Sequence, residues 1–250
     1  MNFSGISGRT FLGRLLRYPL KLIPRRMKMP ILQGRLRGKK WIAGSSTHGC
    51  WLGSYEYEQR LLFEQLVTEG SVVFDLGAHV GFYTLLAAVL VGPRGKVYAF
   101  EPLPNNIHFL KAHLSLNRID NVTVIDRAVS DSSGAATFVE EQSSAMGHFA
   151  AHGSLRVQTV SLDDLFLSGT IPAPDFIKID VENAEWLALK GAENLLRSAR
   201  PTIFLSTDVY DSHRQCCQYL ESFGYQLRPI GARSLERAEE ILAYYQANEI

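Results

Sequence analysis

One stretch constrains this chain more than any other: Val72-Val73-Phe74-Asp75-Leu76-Gly77-Ala78-His79-Val80-Gly81-Phe82-Tyr83-Thr84. Its β-branched and aromatic start predicts a buried strand, and Gly77 and Gly81 predict a tight bend into a helix. Val97-Tyr98-Ala99-Phe100-Glu101-Pro102 follows as a second buried strand that stops on an acid. In an open parallel sheet, an extended nucleotide-like ligand crosses such a point, with its backbone near the glycines and its ribose hydroxyls at the acid.

Strand and helix alternate through the rest of the chain. Residues 56–69 carry Leu61, Leu62, Leu66 and Val67 at helical spacing and stop at Gly70. Strands are expected at 72–75, 97–101, 122–125, 175–180, 202–206, 225–228 and 240–245. Helices are expected at about 81–90 and 105–116, through Trp186 and Leu195, and at 212–223. Residues 41–54 read as a loop. Residues 136–139 and 156–160 break the rhythm and read as two arms of an antiparallel hairpin around a polar loop. This order predicts an α/β fold, a doubly wound and mostly parallel sheet with helices on both faces and an inserted β-hairpin. Asp75, Glu101, Asp126 and Asp180 then all fall at the carboxyl ends of strands, where such sheets bind ligands.

The 250 residues, 46% of them hydrophobic, suffice for one principal domain. Cys50, Cys216 and Cys217 lack the spacing of a disulfide framework or a zinc site. No N-terminal apolar run reaches the length of a signal-peptide core or a membrane span, so the expected location is cytoplasmic. Charge is uneven: residues 1–55 hold 11 basic and no acidic residues, leaving 15 basic against 25 acidic beyond. This divides the chain into a basic arm, 1–45, and a ligand-binding domain, 46–250. Phe11, Leu12, Leu15, Leu16 and Leu20, interleaved with Arg14, Arg17 and Lys21, could form a short helix lying on the inner face of an anionic membrane or on an acidic partner. The arm could equally pack against its own acidic domain. No nucleic-acid motif or aromatic platform accompanies the basic residues.

The cofactor follows by elimination. The loop lacks the GxGxxG of a dinucleotide site and the GxxxxGK[ST] of a P-loop, which leaves a ligand with adenosine and no pyrophosphate; S-adenosyl-L-methionine matches. Its ribose diol would meet Glu101, its cationic groups an acidic pocket, and its carboxylate backbone N–H groups at a helix start.

At this point the chain resembles the FkbM family of S-adenosylmethionine-dependent methyltransferases. The likeness rests on residues 75–81, Phe100-Glu101-Pro102, residues 121–131, Val160-Ser161-Leu162-Asp163-Asp164-Leu165 and Lys178-Ile179-Asp180-Val181-Glu182-Asn183-Ala184-Glu185, and covers roughly 50–230. It implies a seven-stranded class I methyltransferase sheet and O-methylation of a hydroxyl on a sugar, glycan or polyketide-like small molecule. Carried over, Asp75, Gly77, Ala78, His79 and Gly81 would line the methionine part, Glu101 with Pro102 the ribose, and Asp126 and Ala128 the adenine. Two positions depart from the family pattern: Asn183 stands where glycine is common, and Ser206 where an acid commonly ends the fifth strand. Asn tolerates a left-handed backbone, and Asp208 could replace the missing acid.

Methyl transfer to an alcohol requires the acceptor to lose a proton, and Lys178, Asp180, Glu182, Glu185 and His79 are the candidates for base or acceptor-orienting residue. Asp180 is favoured, with Glu182 next; alternation puts Lys178 on the face of Asp180. A cap on the following helix is the structural alternative for both acids. Asp180 and Glu182 have no further ligands at suitable spacing, so no metal site is read. A nicotinamide-dependent oxidoreductase and a non-catalytic module docking through the basic arm remain alternatives at this level. The sequence leaves the oligomeric state open.

Overall fold

The computed structural model describes residues 18–140, 147–149, 155–207 and 209–245. In chain order, its elements begin with β1 (Lys28–Pro30), β2 (Lys40–Ile42), α1 (His48–Leu52) and α2 (Tyr57–Leu66). The first βα units are β3 (Val72–Leu76), α3 (Phe82–Val91), β4 (Lys96–Phe100), α4 (Pro104–Leu116) and β5 (Val122–Ile125). There follow β6 (Ala128–Val129), β7 (Gly134–Glu140), β8 (Gly147–Phe149), β9 (Leu155–Val160) and α5 (Leu162–Leu167). The chain continues with β10 (Phe176–Ile179), α6 (Glu185–Lys190), α7 (Glu193–Ala199), β11 (Thr202–Ser206), α8 (Tyr210–Ser222), β12 (Gln226–Ile230) and β13 (Glu240–Tyr244).

Seven strands pair in the order β12-β13-β11-β10-β3-β4-β5. The run from β11 to β5 is parallel, and β13 is antiparallel to both of its neighbours. The expected mostly parallel sheet is therefore present. Strand alternation gives it two faces. Phe74, Leu76, Ile177, Ile179, Ile203 and Leu205 bury against α5, α6, α7 and α8. Val73, Val97, Phe204 and Leu242 bury against α2 and α3. Helix α3 has almost no polar face because it is covered on both sides, by the sheet and by Ile31, Leu36, Trp41 and Trp51.

The inserted hairpin is β7 against β9, in register from Gly134↔Thr159 to Phe138↔Leu155, extended to four strands by β6 and β8. Several expectations need revision. Residues 41–54, read as a loop, contain the end of β2 and all of α1. From Lys28 onward the basic segment forms a two-stranded hairpin, β1 with β2, whose Trp41 is fully buried and stacks on His113 at 3.7 Å. Asn117, the residue that ends α4, also fixes β2: its Oδ1 accepts the Lys40 N–H at 2.7 Å and its Nδ2 donates to the Lys40 carbonyl at 2.8 Å. The helix read over 11–21 lies outside the described residues except for its end, where Pro19–Leu22 is a 3₁₀ turn.

The helix expected through Trp186 and Leu195 is two helices. Asp163 breaks it from 31 residues upstream: its carboxylate accepts the Asn194 and Leu195 N–H groups, both at 2.9 Å, and so starts α7. The Gly191 carbonyl, at the end of α6, accepts Asp163 N–H at 2.7 Å and Ser161 Oγ at 3.0 Å. The Ser161-Leu162-Asp163 segment is thus a structural clamp. Asp163→Ala removes a buried cap on two backbone donors and is expected to destabilise the fold by about 2 kcal/mol, a drop of roughly 4–8 °C in Tm. Asp163→Asn, which keeps one acceptor, should lose less in the same melting experiment.

Candidate active site

The bend after β3 is held from both sides. Gly77 and Ala78 N–H groups donate to the Phe100 carbonyl, both at 3.0 Å, and Asp180 N–H donates to the Leu76 carbonyl at 3.0 Å. Gly77 (φ 79°) lies so close to the β10 end that a Cβ there would stand 1.8 Å from the Asp180 carbonyl oxygen. Gly81 (φ 91°) caps α3. His79 also takes a left-handed backbone (φ 49°), and burial lowers its imidazole pKa against the pull of Asp180.

That bend delivers the His79 N–H to Glu101. Glu101 is buried at the end of β4; its Oε2 accepts from His79 N at 2.8 Å, and its Oε1 from Leu103 N at 2.9 Å and Asn106 Nδ2 at 3.2 Å. Burial nevertheless pushes its carboxyl from 4.5 up to about 7, although these three donors pull it down. Two carboxylate oxygens offer about four acceptor sites, so three donors leave capacity unfilled. A ribose diol is the chemistry that would fill it, and on this observation the residues fit an adenosyl sugar. Pro102 follows, half-buried. Asp126 is exposed after β5, whereas Ala128 is buried in β6 among Leu103 and Val157. The structure therefore brings Ala128 to the segment behind Glu101 as a packing residue.

A second polar group gathers on the α2/α3 face of the same sheet edge. Lys178 is opposite Asp75 in the β10–β3 register, and its ammonium donates to Asp180 Oδ2 at 2.7 Å while lying 4.6 Å above the Tyr83 ring. Lys178 and Asp180 thus share a face, as alternation predicts. Burial alone would lower the Lys178 ammonium, but Asp180, Glu56 and Asp75 raise it above its ordinary value. It stays charged and is no proton acceptor. Asp75 is buried, which raises its carboxyl, and it accepts from Thr84 Oγ1 at 2.5 Å. Glu182 and Asn183 take left-handed conformations (φ 47° and 68°) that turn the chain from β10 toward α6; the Asn183 N–H donates to Glu185 Oε1 at 3.0 Å. Asn183 therefore supports the turn expected of a glycine.

Gln59, Glu240 and Glu56 of this edge were not legible as site residues, and Tyr55 lies with them. Gln59, on α2, accepts from Tyr83 OH at 2.7 Å and donates to Ser206 Oγ at 3.4 Å. Glu240 is the cross-strand partner of Ser206, and directly opposite residues share a face. The carboxylate that Ser206 lacks is therefore present beside it, supplied by β13; Asp208, the expected substitute, lies outside the described residues. Burial, then Glu56 and Asp180, push Glu240 up to about 7. Tyr55 is raised by burial and by Glu56. The one available signal was that Glu56 is the first acid of the chain. Among the described residues, six non-glycines have positive φ, and Glu56, His79, Glu182 and Asn183 are four of them. Such strain concentrates where a site requires it.

The strand order, with its antiparallel next-to-last strand, and an acid-lined carboxyl edge define the Rossmann-like class I methyltransferase fold. Residues 75–227 match the Methyltransferase FkbM domain, and the chain belongs to that family, whose methyl donor is S-adenosyl-L-methionine. Hexuronic acid methyltransferase AglP of Haloferax volcanii is 33% identical over 141 residues, 56% of this chain and 56% of that protein. A protein-L-isoaspartate O-methyltransferase of Methanothrix thermoacetophila is 35% identical over 57 residues, 23% of this chain and 27% of that one. The chain thus spans about half, or less, of the curated relatives it matches. The crystal structure of methyltransferase FkbM from Methylobacillus flagellatus KT superposes with a TM-score of 0.50 at 22% identity, covering 70% of this chain and 43% of that one, a likeness of fold.

Proposed function

We propose that this chain transfers a methyl group from S-adenosyl-L-methionine to a hydroxyl of a sugar or glycan. The observation that carries the reading is the Lys178–Asp180 pair, buried at the ammonium and one-third exposed at the carboxylate, on the sheet edge that also carries the Glu101 pocket. The hexuronic acid methyltransferase relative supports a sugar acceptor.

In this reading Glu101 holds the ribose, and the 77–81 bend receives the amino-acid tail. The bound cofactor supplies an already activated methyl group on a sulfonium, so alignment and exclusion of water do much of the work. Lys178 fixes Asp180 through a charge-assisted hydrogen bond to Oδ2 and leaves its other oxygen to face the acceptor. Asp180 takes the hydroxyl proton as the oxygen becomes methylated. Tyr83 and Lys178, both buried, help to keep water from this edge.

A methyl-tritium transfer assay against a glycan panel tests this function. Asp180→Asn should reduce kcat by roughly 10²-fold, the lower range for loss of a general base, with cofactor affinity kept. A variant with unimpaired kcat would remove Asp180 from the reaction, and a folded protein that binds no cofactor would remove the function.

A further inference from the structure

His113 is a buried titratable group with no part in the chemistry above, yet both of its ring nitrogens are committed. Nε2 accepts the Ile42 N–H of β2 at 3.1 Å, and Nδ1 stands 2.8 Å from the Val80 carbonyl. A carbonyl only accepts and a backbone N–H only donates, so the ring is the neutral Nδ1–H tautomer. Burial lowers its pKa to about 4 and keeps it neutral.

Val80 belongs to the 77–81 bend, one residue before the N-cap of α3, where no helical N–H reaches its carbonyl. The Gly77, Ala78 and His79 N–H groups tie that bend to β4 and Glu101. His113 ties it to α4. Leu110, one turn earlier on α4, closes the same side, since a Cβ on Gly81 would stand 3.1 Å from its Cγ. The second nitrogen carries the tie onward to the hairpin. Without the Ile42 N–H, the other tautomer could form and turn an Nδ1 lone pair toward the Val80 carbonyl. The Trp41 stack at 3.7 Å and the two Asn117–Lys40 hydrogen bonds fix β2 against α4, so hairpin, ring and bend are one connected unit.

We propose that His113 is a positioning residue of the cofactor site: its N–H sets the Val80 carbonyl, and with it the bend that receives the amino-acid tail, while the β1–β2 hairpin sets its tautomer. This rests on the methyl-transfer reading above. The segment whose charge reads as a separate arm then serves methyl-donor binding.

The test titrates the full chain with S-adenosylhomocysteine and with 5′-methylthioadenosine, which has the adenosyl part without the amino-acid tail. His113→Asn places an amide donor near the Nδ1 position and forfeits the Ile42 contact; His113→Gln reaches the Nε2 position and forfeits Val80. Both lose the Trp41 stack, so their difference isolates the Val80 bond. His113→Gln is expected to weaken S-adenosylhomocysteine about tenfold and His113→Asn less than about threefold, the scale of one buried hydrogen bond. Methylthioadenosine should change less than about threefold in both, a selectivity that loss of packing alone would not produce. Equal losses in the two variants, an unaffected His113→Gln, or a matching loss of both ligands would each overturn the proposal. If neither variant folds, hydrogen exchange on the wild type decides. Coupling between sites is reciprocal, so S-adenosylhomocysteine should slow exchange at 40–45 roughly threefold more than at 226–230, on the far edge of the sheet; equal slowing overturns the proposal. A folded wild type that binds neither ligand defeats methyl transfer itself, whereas wild-type binding with tolerance at His113 defeats only this assignment.

Discussion

Gly77→Ala is expected to cost about 2–5 kcal/mol of stability and to abolish cofactor binding in whatever fraction still folds. Two effects add. A left-handed backbone disfavours alanine by roughly 1–2 kcal/mol, and overpacking adds about 1–3 kcal/mol. The overpacking cannot be relieved locally, because the new Cβ would lie 1.8 Å from the Asp180 carbonyl oxygen and 2.8 Å from its carbon. That peptide is fixed by the Asp180 N–H to the Leu76 carbonyl and by the Ile179↔Leu76 pairing. Relief requires β10 to move off β3, which would displace Lys178 and Asp180 as well as the bend that feeds His79 N–H to Glu101. Gly70→Ala is the control: Gly70 has φ 87° but nothing within 4 Å of an added Cβ, so it carries the conformational part alone. Thermal melting of both variants decides. If Gly77→Ala melts like Gly70→Ala, the close approach of the two loops is not rigid.

What the sequence made legible follows the range of the interactions. The strand–bend–helix at 72–84, Glu101, and the common face of Lys178 and Asp180 were readable because period-two alternation and glycine turns are local properties. The helix break between α6 and α7 was not, since Asp163 imposes it from 31 residues away. The basic segment read as an arm because its charge dominates its composition. Yet Ile31, Leu36 and Trp41 join the core beneath α3, a role that depends on a helix surface formed 40 or more residues later. The acceptor edge shows the same limit more sharply. Asp75, Lys178 and Asp180 come from adjacent parallel strands and could be placed by counting. Glu240 reaches Ser206 only through an antiparallel register with β11, and Gln59 and Glu56 only through the docking of α2 over α3. A residue that looks missing from one strand, the acid at Ser206, can thus be supplied by its neighbour.

Glu101→Ala is expected to weaken S-adenosyl-L-methionine binding about 10²–10³-fold, the loss of charge-assisted hydrogen bonds worth roughly 1.5–3 kcal/mol each. The wild-type protein should also bind its cofactor more tightly as pH rises. Burial holds the Glu101 carboxyl at about 7 against an ordinary 4.5, so the cofactor-free protein carries a proton there in mildly acidic solution. Ribose hydroxyls are donors and favour the carboxylate, so binding must release that proton, and affinity falls by up to about tenfold per pH unit below 7. For the cofactor-free fold the sign is opposite. A carboxyl raised in the folded state contributes stability that is full below 4.5 and lost as pH climbs through about 7. Glu240, also raised to about 7, acts in the same direction, whereas His113, lowered to about 4 by burial, adds stability as pH rises from 4 to 6.5. These contributions overlap in total stability, so the cofactor-induced change is the quantity to follow. Calorimetric titration from pH 5.5 to 8.5, in two buffers of different ionisation enthalpy, should show proton release that fades above 7. Glu101→Gln, which cannot ionise, should bind weakly and flatten the profile; a wild-type profile that is already flat would place the ribose contact elsewhere.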